Sequence, residues 1–453
     1  MIAIRLTALA VALATACPGL AQSRGAPDPQ RQVSPGGYDF TLMPVPEADY
    51  VQISFFWTGS AALAAPGKEG IFQIGQSLPF EQAGGRDYDT VTEDLSDAGA
   101  TVILAPVLMG TVVHLLAQQA DGLGIAAEIA NLVLTDAALY EDDLDWLKTQ
   151  AIDNLEETAR DPGGLMNRAL THLLSNGDRR AAALTGRPEE TIEAVTTGDI
   201  RDWMAASFGA DAIVAAAGPL NAEDAGAAID TILADLGTRP TPVPLGALDL
   251  RDSEATAVID APEAETALVA IAFPAVPTDA AVTVAADVLA GGDGSRIFSR
   301  LREGDGATYG VETTFTPLTP EILTVAFVTS VPPDRAAETL AVLREELSHL
   351  RAEGVTEDEL AAARERQIAN EDVFLRDPST LIGIAIDQSL RNREILPENW
   401  RESIAMGDLA AIDSGIADAI PAGVVGVVVT PEPDLVGADC TAETPEDLGE
   451  CTP

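Results

Sequence analysis

The spacing of apolar and polar residues predicts the same succession of elements twice along the chain. In the first half, residues 50–63 are typical of a strand and residues 101–118 of a strand pair. Residues 86–100 lie between them and predict a helix, and residues 122–134 and 141–160 repeat the helical spacing of apolar positions. Strands and helices in this order predict an α+β lobe with helices packed on one sheet.

A second run of the same kind follows a segment that interrupts the pattern. Residues 236–250, "LGTRPTPVPLGALDL", are punctuated by proline and glycine and predict a linker. Beyond it, the pattern predicts a strand at 266–276 and a helix with a glycine stop at 279–292. It then predicts a strand pair at 307–318 and 322–331 and a long helix at 333–354.

A direct repeat connects the two halves. Residues 140–162 align without gaps on residues 356–378, at an offset of 216, with eight of 23 positions identical, including a closing Arg-Asp-Pro. Chance rarely gives such a match at the same place in both halves, so we infer two copies of one domain. Two lobes of this kind, facing each other, would enclose a chamber.

Composition limits the class of partner. The chain has 453 residues, enough for two lobes, and 47% of them are hydrophobic. Its net charge is −46, from 72 acidic and 26 basic residues, and Lys68 and Lys148 are the only lysines. Such a surface repels nucleic acid and anionic lipid. We interpret the dispersed acidity as a solubility or salt-tolerance trait, with attraction of basic substrates as the alternative.

The first residues predict export. Residues 1–21 combine Arg5, an apolar stretch and a small-x-small end, as in a secretory signal peptide, and residues 22–37 predict a flexible leader. Cys17 leaves a lipoprotein anchor open as an alternative. No other run is long and apolar enough for a membrane helix. We therefore expect a periplasmic or secreted protein without a membrane span.

The predicted mature chain has four parts. They are an N-terminal lobe at 38–235, a linker at 236–255, a C-terminal lobe at 256–431 and a tail at 432–453. Cys440 and Cys451 lie in this tail, and in an oxidising compartment we expect them to form a disulfide that fastens it.

Histidine and glycine patterns carry no local catalytic signal. His114, His172 and His349 are the only histidines, and each is isolated along the chain, so we interpret them as structural or surface side chains. Their spacing excludes the usual helical zinc pair. Residues 291–295, "GGDGS", lack the lysine of a phosphate loop and predict a helix stop and turn.

One segment carries polar side chains in the pattern of a metal site. Residues 70–80, "GIFQIGQSLPF", predict an amphipathic helix that places Gln73, Gln76 and Ser77 on or near one face, although Pro79 weakens it. This segment resembles the helix of the M16 (insulinase-like, pitrilysin) metallopeptidases that carries His-x-x-Glu-His. The resemblance covers nearly all of the mature chain. It implies two homologous lobes forming a clam-shell chamber, as in the short bacterial members and the mitochondrial processing peptidase.

The same resemblance implies that the family's zinc ligands are replaced in this chain. Gln73 and Ser77 stand where the family has its two histidines, Gln76 where it has the catalytic glutamate, and Asn154 where it has the third ligand. Amide and hydroxyl groups are weak zinc ligands, and a glutamine amide takes no proton from water near neutral pH. We therefore expect no catalytic residue in this site, and no metal or other cofactor bound by this chain.

The C-terminal lobe resembles the family at a second motif. "GGDGSRIFSRLREGDGATYGV" (291–311) matches a Ser-Arg-Leu-Phe-like lead-in, followed by an arginine and a tyrosine seven residues apart. The resemblance implies that Arg302 and Tyr309 bind substrate and stabilise the oxygen that gains charge during hydrolysis. A surface ion pair for Arg302 and simple packing for Tyr309 are the structural alternatives.

These observations lead to two functional hypotheses. The first is an exported, non-catalytic subunit of a heterodimeric M16-type peptidase. In this hypothesis Arg302 and Tyr309 act in trans, and a sister subunit with an intact His-x-x-Glu-His motif brings the zinc that hydrolyses peptides. The alternative is a peptide-binding or scaffold protein with an inactive M16 fold and no hydrolytic role.

Overall fold

The structure consists of two six-stranded sheets with equivalent strand orders. It is a computed structural model that describes residues 27–59, 65–158, 160–178, 189–241, 248–251, 253–276, 280–302, 310–396 and 408–450. The mixed α+β architecture with two lobes, predicted from the sequence, is confirmed.

The first sheet lies in the N-terminal half. The strands of this half are β1 Gln30–Val33, β2 Asp39–Pro44, β3 Val51–Thr58, β4 Gln82–Ala83, β5 Arg86–Asp87, β6 Ala100–Val107, β7 Gly110–Ala117 and β8 Ile213–Gly218. The sheet runs β1-β2-β8-β3-β7-β6; β2 and β8 are parallel and the other neighbours antiparallel, while β4 and β5 form a separate ribbon. The helices are α1 Ile71–Gly75, α2 Leu78–Glu81, α3 Tyr88–Asp97, α4 Gly122–Thr135, α5 Glu141–Thr158, α6 Pro162–Leu174, α7 Glu189–Glu193, α8 Thr197–Ser207 and α9 Ala222–Leu233.

The second sheet lies in the C-terminal half. Its strands are β9 Ala255–Asp260, β10 Ala267–Ala275, β11 Val311–Thr319, β12 Ile322–Val331, β13 Val425–Thr430 and β14 Cys440–Ala442. They run β11-β12-β10-β13-β9-β14, with β9 parallel to both β13 and β14. The helices are α10 Ala280–Ala290, α11 Arg296–Arg302, α12 Ala336–Glu353, α13 Glu357–Phe374, α14 Pro378–Leu390 and α15 Leu409–Ala419.

The sequence repeat corresponds to a structural repeat. Helix α13 begins and ends 216 residues after α5, and α14 begins and ends 216 residues after α6. When the strand order of the second sheet is reversed, each of its strands stands at the same place as one strand of the first sheet. The two copies of one domain inferred from the sequence are therefore present.

The repeated Arg-Asp-Pro has a structural reason. Asp161 is the N-cap of α6 and accepts a hydrogen bond from the Gly164 N–H at 2.7 Å, while Asp377 is the N-cap of α14 and accepts one from the Thr380 N–H at 2.8 Å. The following proline occupies the first helical position, where no backbone N–H is needed. The motif starts both helices.

The two helices that follow this motif are exchanged between the sheets. Helix α6, from the N-terminal half, buries its apolar face on the second sheet, against residues such as Ile259 and Val427. Helix α14, from the C-terminal half, packs on the first sheet, where Leu381 and Ile382 contact the cluster that contains Phe56. The other face of each sheet is covered by helices of its own half. Each lobe is thus completed by a helix from the other.

The predicted leader and the predicted tail each contribute a strand to a sheet. Residues 22–37 were predicted to be a flexible leader, but Gln30–Val33 forms the edge strand β1, paired antiparallel with β2. The predicted tail contributes β14, paired parallel with β9. In both cases backbone hydrogen bonding to an open sheet edge orders a segment that has little apolar content.

Several predictions concern residues at the chain ends. The signal peptide and Cys17 lie outside the described residues, as does Cys451. Cys440 is disulfide-bonded, whereas the pairing with Cys451 stays a prediction. Over the part of the chain that the structure describes, none of the helices has the length and apolar content to cross a membrane.

Candidate functional site

The segment with the metal-site pattern is not one helix. Helix α1 ends at Gly75 and α2 starts at Leu78, so Gln76 and Ser77 form a turn between them. The Ser77 N–H donates to the Ile74 carbonyl at 3.1 Å, and Pro79 has no N–H to continue an α-helical ladder. The prediction of a continuous amphipathic helix over residues 70–80 is therefore wrong.

Close packing holds the two short helices in the core of the N-terminal lobe. A Cβ at Gly70 would lie 2.6 Å from the Ile192 Cα on α7, and one at Gly75 would lie 2.8 Å from the indole ring of Trp203 on α8. Glycine is required at both places because a larger residue would meet backbone or a buried ring. The two glycines of this segment therefore allow it to pack closely against α7 and α8.

The four residues that the M16 resemblance places at the zinc site, here called the degenerate site, do not form a good cation site. Gln73 and Ser77 are half-buried, Gln76 is exposed, and Asn154 is exposed on α5, which packs against α1. Their amide and hydroxyl donors are unsuited to zinc. Within the described ranges, no group of three or more His, Cys, Asp or Glu side chains is placed to hold a metal ion. These residues therefore do not fit the zinc that the M16 resemblance implies for this position.

One titratable group next to this segment was not predicted. Burial raises the pKa of the Glu81 carboxyl, at the end of α2, and the negative charges of Asp143 and Asp89 raise it further. The sequence signal for Glu81 is weak, because the proximity of Asp143, on α5, depends on tertiary packing.

Arg302 lies at the end of α11 and is exposed. Its guanidinium carbon is 5.4 Å from the centre of the Phe298 ring, one helical turn earlier. Arg296 and Arg300 of the same helix form ion pairs, while Arg302 has none with any described residue. Tyr309 lies outside the described residues, so the geometry of the predicted pair is not tested.

The partners of Arg296 explain how α11 is fixed. The Arg296 guanidinium donates to both carboxylate oxygens of Glu359 at 2.7 Å, and this bidentate contact lowers the pKa of Glu359 to about 2. Arg300 donates to Glu346 at 2.7 Å. These contacts attach α11 to α12 and α13, while Arg302, the last residue of α11, is exposed.

The three histidines lie on different elements. His114 is on β7, His172 is half-buried on α6, and His349 is exposed on α12. The Nδ1 atom of His114 lies 2.7 Å from the Ser54 hydroxyl and 3.2 Å from the Gln52 amide nitrogen. This contact places His114 in a structural polar network.

A cavity of about 460 Å³ in the C-terminal half was not predicted. It lies between α10, α13, β11 and the start of α14. The described lining residues are Thr283, Ala286, Asp287, Ala290, Gly291, Thr313, Phe315, Gln367, Asn370, Glu371, Phe374, Leu375, Thr380 and Ile384. One signal was present in the sequence, because Asn370 is the repeat counterpart of Asn154. Since α13 is the counterpart of α5, the cavity uses the same helix of the repeat as the degenerate site.

Comparison with protein families gives a match in the middle of the chain. Residues 194–367 match the model described as the peptidase M16 inactive domain. A curated relative, an uncharacterised zinc protease of Streptomyces coelicolor, is 25% identical over 301 residues. The aligned region covers 64% of this chain and 63% of that relative.

Solved structures share the fold. A peptidase M16 inactive domain from Pseudomonas fluorescens superposes with a TM-score of 0.77 at 18% identity, over 89% of this chain and 98% of that one. A protease from Helicobacter pylori gives 0.74 at 16% identity, over 89% of this chain and all of that one. The periplasmic protease PqqL of Escherichia coli gives 0.69 at 15% identity, over 93% of this chain and 49% of the longer protein.

Proposed function

We propose that this chain, which matches the peptidase M16 inactive domain over residues 194–367 and shares the fold of M16 peptidases, is the non-catalytic subunit of a two-chain zinc peptidase. The observation that carries the proposal is the donor set at the degenerate site: Gln73, Ser77 and Asn154 offer amides and a hydroxyl, and Gln76 offers no base. The sister subunit would contribute the zinc, its ligands and the glutamate that activates water.

Arg302 and Tyr309 are the residues proposed to act in trans. The exposed position of Arg302 at a helix end, without an ion pair among the described residues, supports a role in binding a substrate carbonyl. Preorganised donors of this kind stabilise the developing oxyanion, and the loss of one typically costs about 3 kcal/mol. Tyr309 is included on the resemblance of its sequence motif.

We also propose that the protein works outside the cytoplasm, in the periplasm or as a secreted protein. The signal-like residues 1–21 support this location. A peptide-binding or scaffold protein with no hydrolytic role is the second candidate, and the unpredicted cavity in the C-terminal half favours it, because a binding protein needs a pocket and no metal.

Co-expression with an M16 protein that carries an intact His-x-x-Glu-His motif tests the proposal. We expect peptidase activity from the pair and none from either chain alone. Arg302→Ala in this chain should lower kcat/KM by about 10²-fold. Arg335→Ala, at an arginine paired with Glu338 far along the chain, is the matched control and should leave activity unchanged.

Metal analysis gives an independent test. The purified chain should contain far less than one zinc per molecule after incubation with zinc and desalting. Stoichiometric zinc, or chelator-sensitive proteolysis by the isolated chain, would contradict the proposal. Full activity of the pair with Arg302→Ala would remove the role in trans and leave the binding-protein alternative.

A further inference from the structure

The cavity in the C-terminal half combines apolar walls with acidic groups. Phe315, Phe374 and Ile384 supply large apolar surfaces, and Asp287 and Glu371 supply two carboxyl groups. None of the described lining residues is basic. A site with this composition matches a ligand that has an apolar stem and a positively charged end.

The two carboxyl groups each have an interaction within the protein. Arg366, which does not line the cavity, donates to Asp287 through Nε at 3.1 Å and through Nη2 at 2.6 Å. This pair fixes the Asp287 carboxylate and compensates its charge. Glu371, on the lining face of α13, is only 5% exposed. A ligand cation beside Glu371 would therefore interact in a poorly solvated environment, where charge pairs are strong.

The cavity opens beside a sheet edge. Among the described strands, β11 pairs only with β12, so its outer backbone groups are available to a further strand. Thr313 and Phe315 of β11 line the cavity, and Phe315 is 43% exposed. A peptide that extends this sheet would place alternate side chains on the side where the cavity lies.

A neutral donor completes the site. The Gln367 side-chain nitrogen is buried and has no hydrogen-bond partner among the described residues. Buried polar atoms are normally paired, so this amide is suited to a carbonyl group of a bound chain. Phe374, which lines the cavity and is exposed, adds a ring face that attracts a cation.

We propose that this cavity binds an arginine or lysine side chain of an extended peptide. The aliphatic stem contacts the phenylalanine rings, and the charged end reaches the carboxyl groups. The volume of about 460 Å³ is within the usual range of ligand pockets. The net charge of −46 attracts cationic peptides to the surface from a distance.

Binding in this cavity is independent of the peptidase proposal because it concerns this chain alone, and it specifies the ligand of the second candidate, a peptide-binding protein. It stands whether or not a zinc-bearing sister subunit exists. The peptidase proposal, in turn, depends on Arg302 and Tyr309 and does not require the cavity. The two proposals therefore fail in different experiments.

Fluorescence anisotropy with the full mature chain tests it. The probes are labelled nonapeptides with an uncharged threonine and valine host and a central arginine, citrulline or leucine. Citrulline keeps the shape of arginine and removes its charge. We expect the arginine peptide to bind about tenfold more tightly than the citrulline peptide at 150 mM NaCl, a typical effect of a charge-assisted contact.

Three variants locate the site. Glu371→Gln should reduce the preference for arginine over citrulline to less than about threefold, while Ala290→Leu, which adds bulk to the lining, should weaken all three peptides. Glu365→Gln removes the same charge from an exposed position of α13 outside the lining and should change nothing. Circular dichroism and thermal melting verify folding, and Ala290→Leu keeps the test valid if Glu371→Gln is unstable.

Several results would overturn the proposal. These are equal binding of the arginine and citrulline peptides, no binding of any peptide, or unchanged binding by Ala290→Leu. Tight binding of the leucine peptide without preference for arginine would identify an apolar peptide site instead.

Discussion

At the scale of single residues, a polar network connects the two halves of the chain. The Ser379 hydroxyl, at the start of α14, donates to the Gln52 side-chain oxygen at 2.5 Å, and the Gln52 amide donates to the Ser54 hydroxyl at 3.0 Å and to His114 Nδ1 at 3.2 Å. Tyr50 donates to Asp377 at 2.6 Å beside it. Because the Gln52 amide is a donor, His114 Nδ1 must accept, which requires a neutral imidazole.

The neutral state of His114 predicts a pH dependence of stability. Burial lowers the pKa of His114 below its ordinary value of 6.5, so below pH 6.5 the unfolded chain binds the proton more readily than the folded chain. The stabilisation is complete above pH 6.5 and is lost as pH falls through the lowered pKa of the folded state. One extra proton in the unfolded state gives a slope of at most about 1.4 kcal/mol per pH unit.

Urea unfolding at several pH values between 7.5 and 5.0 measures this effect. His114→Asn, whose side-chain oxygen can accept in place of Nδ1, should flatten the pH dependence relative to the natural chain. His349→Asn, at an exposed histidine on α12, is the control and should leave the slope as it is. The same slope in the natural chain and in His114→Asn would show that His114 is not the titrating group.

At the scale of elements, α6 and α14 share their starting motif and their exchanged position. Asp161 and Asp377 cap them, and each then buries an apolar face on the sheet of the other half. In α14, Leu381 and Ile382 are almost fully buried while Gly383, next to them, is exposed. Apolar area on one side of each helix therefore joins the two halves.

A pair of substitutions in α14 separates this packing from helix propensity. Leu381→Ala should lower the free energy of unfolding by about 2–5 kcal/mol, because it removes a fully buried side chain at the junction. Gly383→Ala meets no atom within 4 Å and should raise the free energy by about 0.5–1 kcal/mol. Chemical denaturation of both variants checks the contrast, and a loss under 1 kcal/mol in Leu381→Ala would show that α14 contributes little to the junction.

At the scale of the whole molecule, neither half has a complete core of its own. Without the C-terminal half, the first sheet loses α14 and α6 has no sheet to cover; the converse holds for the second sheet. Apolar surfaces left uncovered in this way favour association with other chains. The two halves therefore form one folding unit, although the offset of 216 residues between the repeated segments has the length of a domain.

Separate expression of the halves tests this dependence. Fragments 22–241 and 248–453 should each aggregate or bind a hydrophobic dye, and together they should co-purify as a complex. The chain cleaved after folding, at a protease site inserted between residues 241 and 248, should stay associated and is the control. A monomeric, stably folded fragment of either half would contradict the exchange.

Much of the fold could be predicted from the pattern of residues. Apolar periodicity located β3, β6, β7, β10, β11, β12 and the long helices, and the repeat at 140–162 and 356–378 indicated two equivalent lobes. Residue type also indicated that Gln73 and Ser77 are poor zinc ligands, whereas their correspondence to the ligand positions rests on the M16 resemblance. Edge strands β1 and β14 could not, since their order depends on hydrogen bonds to a neighbouring strand rather than on their own apolar content.

The candidate sites were predicted unevenly. Pro79 was a sequence signal against a continuous helix, yet the turn at Gln76 and Ser77 depends also on packing of α1 against α7 and α8. The cavity beside β11 had no local motif, because its lining comes from four elements that are distant along the chain. Local sequence patterns do not reveal which distant elements pack together to form a cavity.

The sequence by itself determined the α+β class, the internal repeat, the acidic surface and the absence of zinc-ligand chemistry at Gln73, Gln76 and Ser77. These properties follow from residue type and short-range spacing, which act before the chain is folded. Only the tertiary structure decided which sheet α6 and α14 cover and that Asp287, Glu371 and Phe315 line one cavity. The physical reason is that periodicity marks which face of an element is apolar, whereas long-range packing selects the surface that buries it.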